Sequence, residues 1–390
     1  MEYLDQLFVF AKRLMLDLLA RFLPDWIVLV ASMVISIVAI LIFAPLTMMY
    51  LTLLERKVVG RIQNRIGPNR VGKFGLLQPI ADGIKMLTKE DIVPFQADPV
   101  LHFLAPVIIV MPALLIFAVI PFGRGMTAVD LNIGILYFIA VSSISTIAIF
   151  MASWGSRNKF SLLGGMRTVA QMISYEVPMV LSVVPVILVA ETLSTNAIIE
   201  AQSAGWFVWT PWGLAGFLIF FLCAVAECNR SPFDIPEAES EIVAGFHTEY
   251  SGIKFALFYM AEFISVFAVS ALAVTLFLGG WKGPWLPSWL WFLLKAYALI
   301  GVMFWFRGTL PRFRVDQLMG LAWKFLLPLA LINIFVVGFW YFSPGLWKWV
   351  GSLGILGPSF WIFTKLNRSY VPENRVYRLA EDENNETVGA

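Results

Sequence analysis

Charge is scarce in this sequence. Only 14% of the 390 residues are charged, while 59% are hydrophobic and the mean hydropathy is +0.79. Soluble domains carry about 25% charged residues, so this composition argues against a soluble protein. The net charge of +2 and the lack of a long basic run give no indication of a nucleic-acid partner.

Cysteine and histidine are also scarce. The two cysteines, Cys223 and Cys228, are too few by themselves for an iron–sulfur cluster or a zinc site. His102 and His247 stand alone in the sequence, and we interpret both as ordinary polar contacts. The chain has no glycine-rich phosphate loop, dinucleotide fingerprint or nucleophile elbow. We therefore expect no metal, no covalently bound cofactor and no redox centre in this chain.

Long apolar runs, by contrast, are abundant. A run of about 18 or more apolar residues predicts a transmembrane helix. The sequence therefore predicts an all-α polytopic membrane protein with eight core transmembrane helices, and a ninth helix could form near the C-terminus at about 346–363. The eight runs lie at about residues 26–54, 101–120, 131–154, 169–190, 212–226, 255–278, 289–306 and 321–342.

The apolar pattern divides the chain into four parts. In residues 1–25, apolar side chains recur every three or four positions, as in an amphipathic helix at a membrane interface. Residues 26–342 are expected to form the core membrane domain with its loops. Residues 343–364 contain the candidate ninth helix, and residues 365–390 form a polar tail.

Basic residues are concentrated in alternate loops. The loops after the second, fourth and sixth runs carry only Arg124 and Lys282, and most other basic residues follow the first, third, fifth and seventh runs. The positive-inside rule places these larger loops on the cytoplasmic side of a bacterial cytoplasmic (inner) membrane. We expect 55–57 to end the first helix, 155–167 to be a polar loop, and an apolar stripe at 76–87 to form a short surface helix.

Acidic residues lie where apolar surroundings make them costly. Glu176 and Glu262 fall inside predicted spans, and Glu227 lies at the end of one. Ionisable groups inside a membrane commonly mark proton paths, so these three are candidates for a proton relay. In the alternative interpretation, Glu176 and Glu262 only anchor helix ends by pairing with Arg167 or Lys254.

One polar stretch between two apolar runs, residues 227–252, holds six acids. Its glutamates Glu237, Glu239 and Glu241 must lie close together, and like charges at short range favour a shared proton. A solvated loop face is the alternative interpretation, and Arg230 offers a counter-charge. Lys295, inside the seventh run, is either the packing partner of a carboxylate or part of a charge path.

Several long motifs occur in one order along the chain. Together they resemble the family of the H subunit of the proton-pumping NADH:quinone oxidoreductase (respiratory complex I), whose mitochondrial counterpart is subunit 1. The resemblance covers about residues 26–342. The motifs are ERK at 55–57, QNRIGPNRVG at 63–72, QPIADGIKMLTKE at 78–90, SYE at 174–176, RSPFDIPEAESE at 230–241, EYSG at 249–252 and LPRFRVDQ at 310–317.

The resemblance implies roles for particular residues. The family's subunit forms much of a quinone chamber where the peripheral arm meets the membrane arm, and a proton path begins there. No residue of this chain alone would be catalytic. The chamber would be bordered by Arg56, Asp82, Glu237, Glu239 and Glu241. The proton path would contain Glu176, Glu227 and Glu262. Charge would be balanced by Arg167, Arg230, Lys295, Arg307, Arg312 and Arg314.

The resemblance also implies cofactors and partners. The substrate would be a quinone, either ubiquinone or menaquinone, while FMN, iron–sulfur clusters and the NADH site would lie in partner subunits. The partners would be the peripheral-arm subunits with the terminal cluster, small membrane-arm subunits and membrane lipid. Three other hypotheses stay open: the corresponding subunit of an energy-converting hydrogenase-type complex, a stand-alone ion-coupled transporter, and a purely anchoring subunit.

Overall fold

The computed structural model describes residues 5–235 and 243–368, and this part of the chain is helical without a β-strand. We number its α-helices in chain order: α1 Leu7–Ala20, α2 Asp25–Ile62, α3 Gln78–Thr88, α4 Pro99–Leu115, α5 Gly134–Ser142, α6 Ile144–Gly155, α7 Lys159–Ala190, α8 Thr195–Ala201, α9 Pro211–Glu227, α10 Gly252–Phe277, α11 Ser288–Thr309, α12 Val315–Gly320, α13 Leu327–Phe342 and α14 Trp347–Arg368. A 3-10 turn, Ile116–Val119, extends α4, and a π-helical segment, Leu321–Leu326, joins α12 to α13.

Seven stretches of the described chain are long and apolar enough to cross a membrane, which confirms the all-α polytopic fold. They are Asp25–Ile62, Pro99–Val119, Gly134–Gly155, Lys159–Ala190, Gly252–Phe277, Ser288–Thr309 and Val315–Phe342. The other predicted core span forms the shorter α9, whose 17 residues extend about 26 Å at 1.5 Å per residue. The candidate ninth span forms α14, which is a helix but is not among the seven.

Helix α10 lies at the centre of the bundle. Its most apolar window is 83% buried, whereas the corresponding window of α2 is 6% buried. A helix that is apolar on all sides is typical of such a central position. Phe267 of α10 packs against Phe117 and against Phe43 of α2, with ring centroids 5.8 and 5.6 Å apart. Helix α2 thus lies on the rim and presents most of its apolar side chains outward.

The first helix is longer than predicted. We expected Glu55, Arg56 and Lys57 to end it, but α2 continues to Ile62. The reason is that Glu55 is only 5% exposed and is paired with Arg307 of α11 and with Arg230, which follows α9. A paired, buried charge can remain within a helix, whereas the prediction treated charge as a sign of solvent.

The predicted polar loop at 155–167 is also mostly wrong, because α7 begins at Lys159. Asn158 caps this helix by accepting a hydrogen bond from the Phe160 N–H at 2.9 Å. Gly164 and Gly165 then let α7 approach its neighbours closely. A Cβ atom at Gly165 would lie 1.6 Å from Ser153 Oγ of α6, so tertiary packing favours helix here despite the polar sequence.

Both predicted amphipathic segments form helices. The N-terminal segment forms α1, whose apolar side chains are largely exposed, and the stripe at 76–87 forms α3. Helix α3 contacts α2 through Asp82, which accepts a hydrogen bond from Arg56 of α2 and another from Gln78 of its own helix. The long basic loop is therefore fixed against the end of α2.

Candidate functional site

Four charged side chains from four different segments meet inside one end of the bundle. We call Glu55, Arg230, Glu262 and Arg307 the arginine network. The Arg230 guanidinium donates to both carboxylate oxygens of Glu55, at 2.9 and 3.1 Å, and its Nε lies 3.0 Å from Glu262 Oε1. Arg307 also donates to Glu55 Oε1. Two carboxylates and two guanidinium groups therefore neutralise one another in a largely buried site.

The fold explains how these residues come together. Glu55 lies on α2, Glu262 on α10 and Arg307 in the last turn of α11. Arg230 follows the end of α9, where its backbone N–H donates to Val225 O at 3.1 Å. Its guanidinium also lies over the Phe263 ring, 4.1 Å from the centroid. Arg230 is only 3% exposed, so leaving it unpaired would cost several kcal/mol.

A buried glutamine holds the turn that carries Arg230. Gln171 of α7 donates to Ala226 O at 2.8 Å and to Phe233 O at 2.9 Å. One side-chain amide thus joins the end of α9 to the loop that follows. Asp234, a few residues on, is paired with Arg312 at 3.1 Å. The segment that leads towards the acidic triplet is therefore fixed at several points.

Glu176 and Glu227 lie near each other beside the break between α5 and α6. Ser143, the residue between those two helices, donates to Glu176, and Ser142 is hydrogen-bonded to Glu227. The two carboxyl groups are close enough to interact electrostatically. Glu227 lines a cavity of about 30 Å³ that is also bordered by Ser145, Cys228 and Ser265. A cavity of this size is large enough for one water molecule.

The remaining predicted residues have different surroundings. Arg56 and Asp82 form an ion pair at 2.6 Å with side chains 46% and 26% exposed, so this pair lies at the surface. Arg314 pairs with Asp316 at the exposed surface, and Arg167 lies half-buried on α7. The predicted chamber residues Glu237, Glu239 and Glu241 lie outside the described residues.

Lys295 donates hydrogen bonds to backbone carbonyl groups, whereas one of the two sequence interpretations paired it with a carboxylate. Its ammonium donates to Leu278 O at 2.7 Å, Gly280 O at 3.0 Å and Lys282 O at 2.7 Å. These carbonyls lie just beyond the end of α10, where helical backbone acceptors lack partners. Lys295 precedes Arg307 by 12 residues on α11, or about 18 Å. It therefore lies at the opposite end of the bundle from the arginine network.

Of the two anchoring pairs considered for Glu262, the one with Lys254 is wrong, because Glu262 pairs with Arg230. Lys254 instead pairs with Asp91 at 2.9 Å and contacts His102 Nδ1 at 3.3 Å. The His102 ring stacks on Tyr250 with a centroid distance of 4.2 Å. This cluster joins the loop after α3 to the first turns of α4 and α10.

Sequence reasoning missed two members of the site, Glu55 and Gln171. Glu55 was interpreted only as the end of a span, and its signal was an acid next to the apolar run within the ERK motif. Gln171 had a weaker signal, a single amide in an apolar run. Neither spacing nor composition could have shown that both contact the segment around Arg230.

Metal ligands do not converge in the part of the chain that the structure describes: no group of three or more His, Cys, Asp or Glu side chains could hold an ion. Cys223 and Cys228 are buried free cysteines. Burial raises the pKa of the Cys228 thiol well above its ordinary value, and the thiol form is a poor ligand and nucleophile. What the described site does contain is a set of paired charged side chains.

Comparison with known proteins identifies the family of this chain. The family model for NADH dehydrogenase matches residues 35–338. The H subunit of NADH-quinone oxidoreductase from Dehalococcoides mccartyi (strain CBDB1) is 53% identical over 318 residues, covering 80% of this chain and 87% of the relative.

Two further relatives have similar coverage. An H subunit of NADH-quinone oxidoreductase from Geobacter metallireducens is 51% identical over 77% of this chain and 94% of its own length. The H subunit from Geobacillus kaustophilus is 50% identical over 75% of this chain and 90% of its own length. The matched region contains all four residues of the arginine network. The chain therefore belongs to the NADH dehydrogenase family, among whose members are H subunits of NADH-quinone oxidoreductase.

Proposed function

We propose that this chain is the membrane subunit of a proton-translocating NADH:quinone oxidoreductase that forms the quinone chamber at the junction with the peripheral arm. The names of its relatives support the assignment to this complex. The observation that carries the mechanistic part is the arginine network, which brings buried charge from α2, α10 and α11 to the turn after α9. A stand-alone anchor has no need of such a costly arrangement.

The quinone chamber is proposed to lie beside α2 and α3. Arg56 and Asp82 join these helices at the surface, and apolar side chains of α3 such as Ile84 and Leu87 are more than half exposed. A quinone combines an apolar tail with a polar head, so a site of this kind needs both types of surface. The acidic residues Glu237, Glu239 and Glu241 are proposed to complete the chamber wall.

Partner subunits would carry out the redox steps. In this proposal NADH, FMN and the iron–sulfur clusters belong to peripheral subunits, and the terminal cluster supplies electrons to the quinone. Reducing a quinone to a quinol takes two electrons and two protons. The carboxylates of this chain can supply protons or respond to the negative charge that forms on the quinone.

The proton path is proposed to run through Glu262, Glu227 and Glu176. Glu262 shares Arg230 with Glu55, so a change in the charge of either carboxylate alters the pairing of the other. Such a shared counter-ion can have two arrangements, which is the requirement for coupling between sites. The small cavity at Glu227 and the serines beside Glu176 and Glu227 provide polar contacts further along.

The membrane topology is part of the same proposal. The chain would lie in the bacterial cytoplasmic membrane with its large basic loops on the cytoplasmic side, where the peripheral arm docks. Small membrane-arm subunits and lipid would cover the apolar rim that α2 exposes.

Glu262→Gln tests the proposal directly. The amide keeps the size of the side chain but removes its charge and its proton exchange. We expect quinone reduction coupled to proton pumping to fall at least tenfold in membrane vesicles, while NADH oxidation by an artificial acceptor stays normal. Glu191→Gln is the matched control, since Glu191 is an exposed residue just past the end of α7. Normal quinone-linked pumping in Glu262→Gln would refute the relay.

A further inference from the structure

A second cavity, lined by both polar and apolar side chains, lies at the end of the bundle opposite the arginine network. Its volume is about 390 Å³, within the range of small-ligand sites. It is formed where the N-terminal segment meets the turns that follow α4, α8 and α10. The polar and aromatic residues that line it are Asp5, Arg124, Ser203, Trp281, Lys282 and Ser288.

The walls of this cavity are held together by specific contacts. Ser288 Oγ accepts a hydrogen bond from the Arg124 backbone N–H at 3.1 Å, and the Ser288 N–H donates to Asp5 Oδ1 at 2.5 Å. The Arg124 guanidinium lies 5.3 Å from the Trp281 ring centroid. Lys282 donates to Glu200 O at 3.1 Å. Both cations are therefore positioned by the protein itself.

The two cations are close enough to repel each other. Burial lowers the pKa of Lys282, the Glu200 carboxylate raises it, and the positive charge of Arg124 lowers it further. Within the described chain, Arg124 has no carboxylate within ion-pair distance. The Lys282 ammonium has three N–H donors, and one of them is used by Glu200 O. An anion between these groups would relieve the repulsion and take up the remaining donors.

We propose that this cavity binds the phosphodiester headgroup of a membrane glycerophospholipid. Arginine matches the geometry of phosphate oxygens with its planar fork of donors, and lysine adds a mobile point charge. One phosphodiester charge would also balance the net charge of Asp5, Arg124 and Lys282, which is +1 when all three are ionised.

Apolar surface next to the cavity favours a lipid over free phosphate. Leu286, which lines the cavity, is 40% exposed, and the neighbouring Trp285 is 86% exposed. On the other side, Leu7 of α1 is 49% exposed and Phe8 packs edge-on against Trp289. Tryptophan is typical of the headgroup level of a membrane. Acyl chains would therefore lie along these exposed apolar side chains while the phosphate occupies the cavity.

The test uses the protein purified from its native membrane with the subunits that accompany it. In the double variant Arg124→Gln/Lys282→Gln, native mass spectrometry should show one fewer tightly bound phospholipid than in the wild type. Lys348→Gln is the matched control, because Lys348 also lies over a tryptophan ring, that of Trp340 at 4.9 Å, but outside this cavity. The control should retain every lipid of the wild type.

A second measurement separates a lipid from a free anion. After delipidation, added phospholipid should raise the thermal midpoint of the wild type and of the control but not of the double variant, and millimolar inorganic phosphate should have no effect. An equal effect of inorganic phosphate would overturn the lipid proposal, and so would unchanged lipid retention in the double variant.

If the double variant does not assemble, a density map of the wild-type protein in lipid nanodiscs decides the matter. We expect phosphate density between Arg124 and Lys282. An empty cavity, or a side chain of a neighbouring subunit in it, would overturn the proposal. All these outcomes are independent of quinone reduction, so they leave the proposed function untouched.

Discussion

Glu55 accepts hydrogen bonds from two arginines at once, so its carboxylate is held from two sides. It accepts from Arg230 through both oxygens and from Arg307 through one. Because Arg230 also pairs with Glu262, a proton on either glutamate would leave the other with a larger share of the positive charge. In the proposed proton path, this shared counter-ion would couple the protonation of Glu55 to that of Glu262.

His247 shows how burial sets the behaviour of a single group. Burial lowers its pKa from 6.5 to about 3, and its ring lies among Phe246, Phe255 and Phe258. Between about pH 6.5 and 3 the unfolded segment binds a proton that the folded one does not. This group should therefore lower the local free energy of unfolding as the pH falls, by at most about 1.4 kcal/mol per pH unit. Above about pH 7.5 it should have no such effect.

His247→Phe should remove this pH dependence, because phenylalanine suits the aromatic surroundings and does not titrate. Hydrogen exchange of residues 245–258, corrected for the intrinsic rate, measures local opening at each pH. We expect the wild type to lose protection between pH 6.5 and 5 relative to the variant, and the two to respond alike at pH 7.5–8.5. Equal behaviour across the whole range would contradict the assignment.

At the scale of helices, tertiary packing determines where some helices begin and end, which the sequence pattern did not predict. The eight apolar runs predicted where helices lie, because hydrophobic length is a direct consequence of membrane thickness. The predicted end of α2 was wrong because Glu55 is neutralised by arginines distant in sequence. The predicted start of α7 was wrong because Gly165 packs against Ser153. Both contacts are tertiary, so no local pattern contains them.

A variant of Lys295 can show whether this buried charge has a structural role or belongs to a charge path. It caps three carbonyls after α10 and is 6% exposed. Lys295→Met should leave those carbonyls without their donor and destabilise the protein by about 1–3 kcal/mol or more. We expect a lower thermal midpoint of the purified protein with an unchanged ratio of protons pumped to NADH oxidised.

Lys348→Met is the control for Lys295→Met, since it removes a lysine from the rim of the same end of the bundle. Its thermal midpoint should stay close to that of the wild type. A lower pumping ratio in Lys295→Met at normal stability would return Lys295 to the charge path that the family resemblance implies.

At the scale of the whole molecule, the sequence predicted the fold class and which charged residues lie in apolar surroundings better than it predicted how those residues pair. Glu176, Glu227, Glu262 and Arg230 were identified because acids and their counter-charges are rare in apolar surroundings. That Glu262 pairs with Arg230 depends on α10 lying at the centre of the bundle, and this position follows only from the packing of all the helices. Pairings across the bundle are therefore beyond sequence periodicity.

The surface pair Arg56–Asp82 provides the clearest test of the chamber, because its contribution to stability should be small. An exposed ion pair typically contributes at most about 1 kcal/mol, and Arg56 is 46% exposed in this pair. Arg56→Ala should therefore leave the complex in the membrane at normal abundance but reduce quinone reduction several-fold, mainly through a higher KM for quinone. Arg61→Ala, an exposed position on the same helix, should behave like the wild type.

These two variants separate a chamber residue from a docking residue. Loss of the whole complex from the membrane in Arg56→Ala alone would mean that the α2–α3 contact serves assembly. Normal abundance with normal quinone kinetics would place the chamber elsewhere. A higher KM for quinone with normal NADH oxidation by an artificial acceptor is expected only if quinone approaches this face, because the peripheral redox centres would then be intact. Since Asp82 holds Arg56 in place, Asp82→Asn should reproduce the effect more weakly.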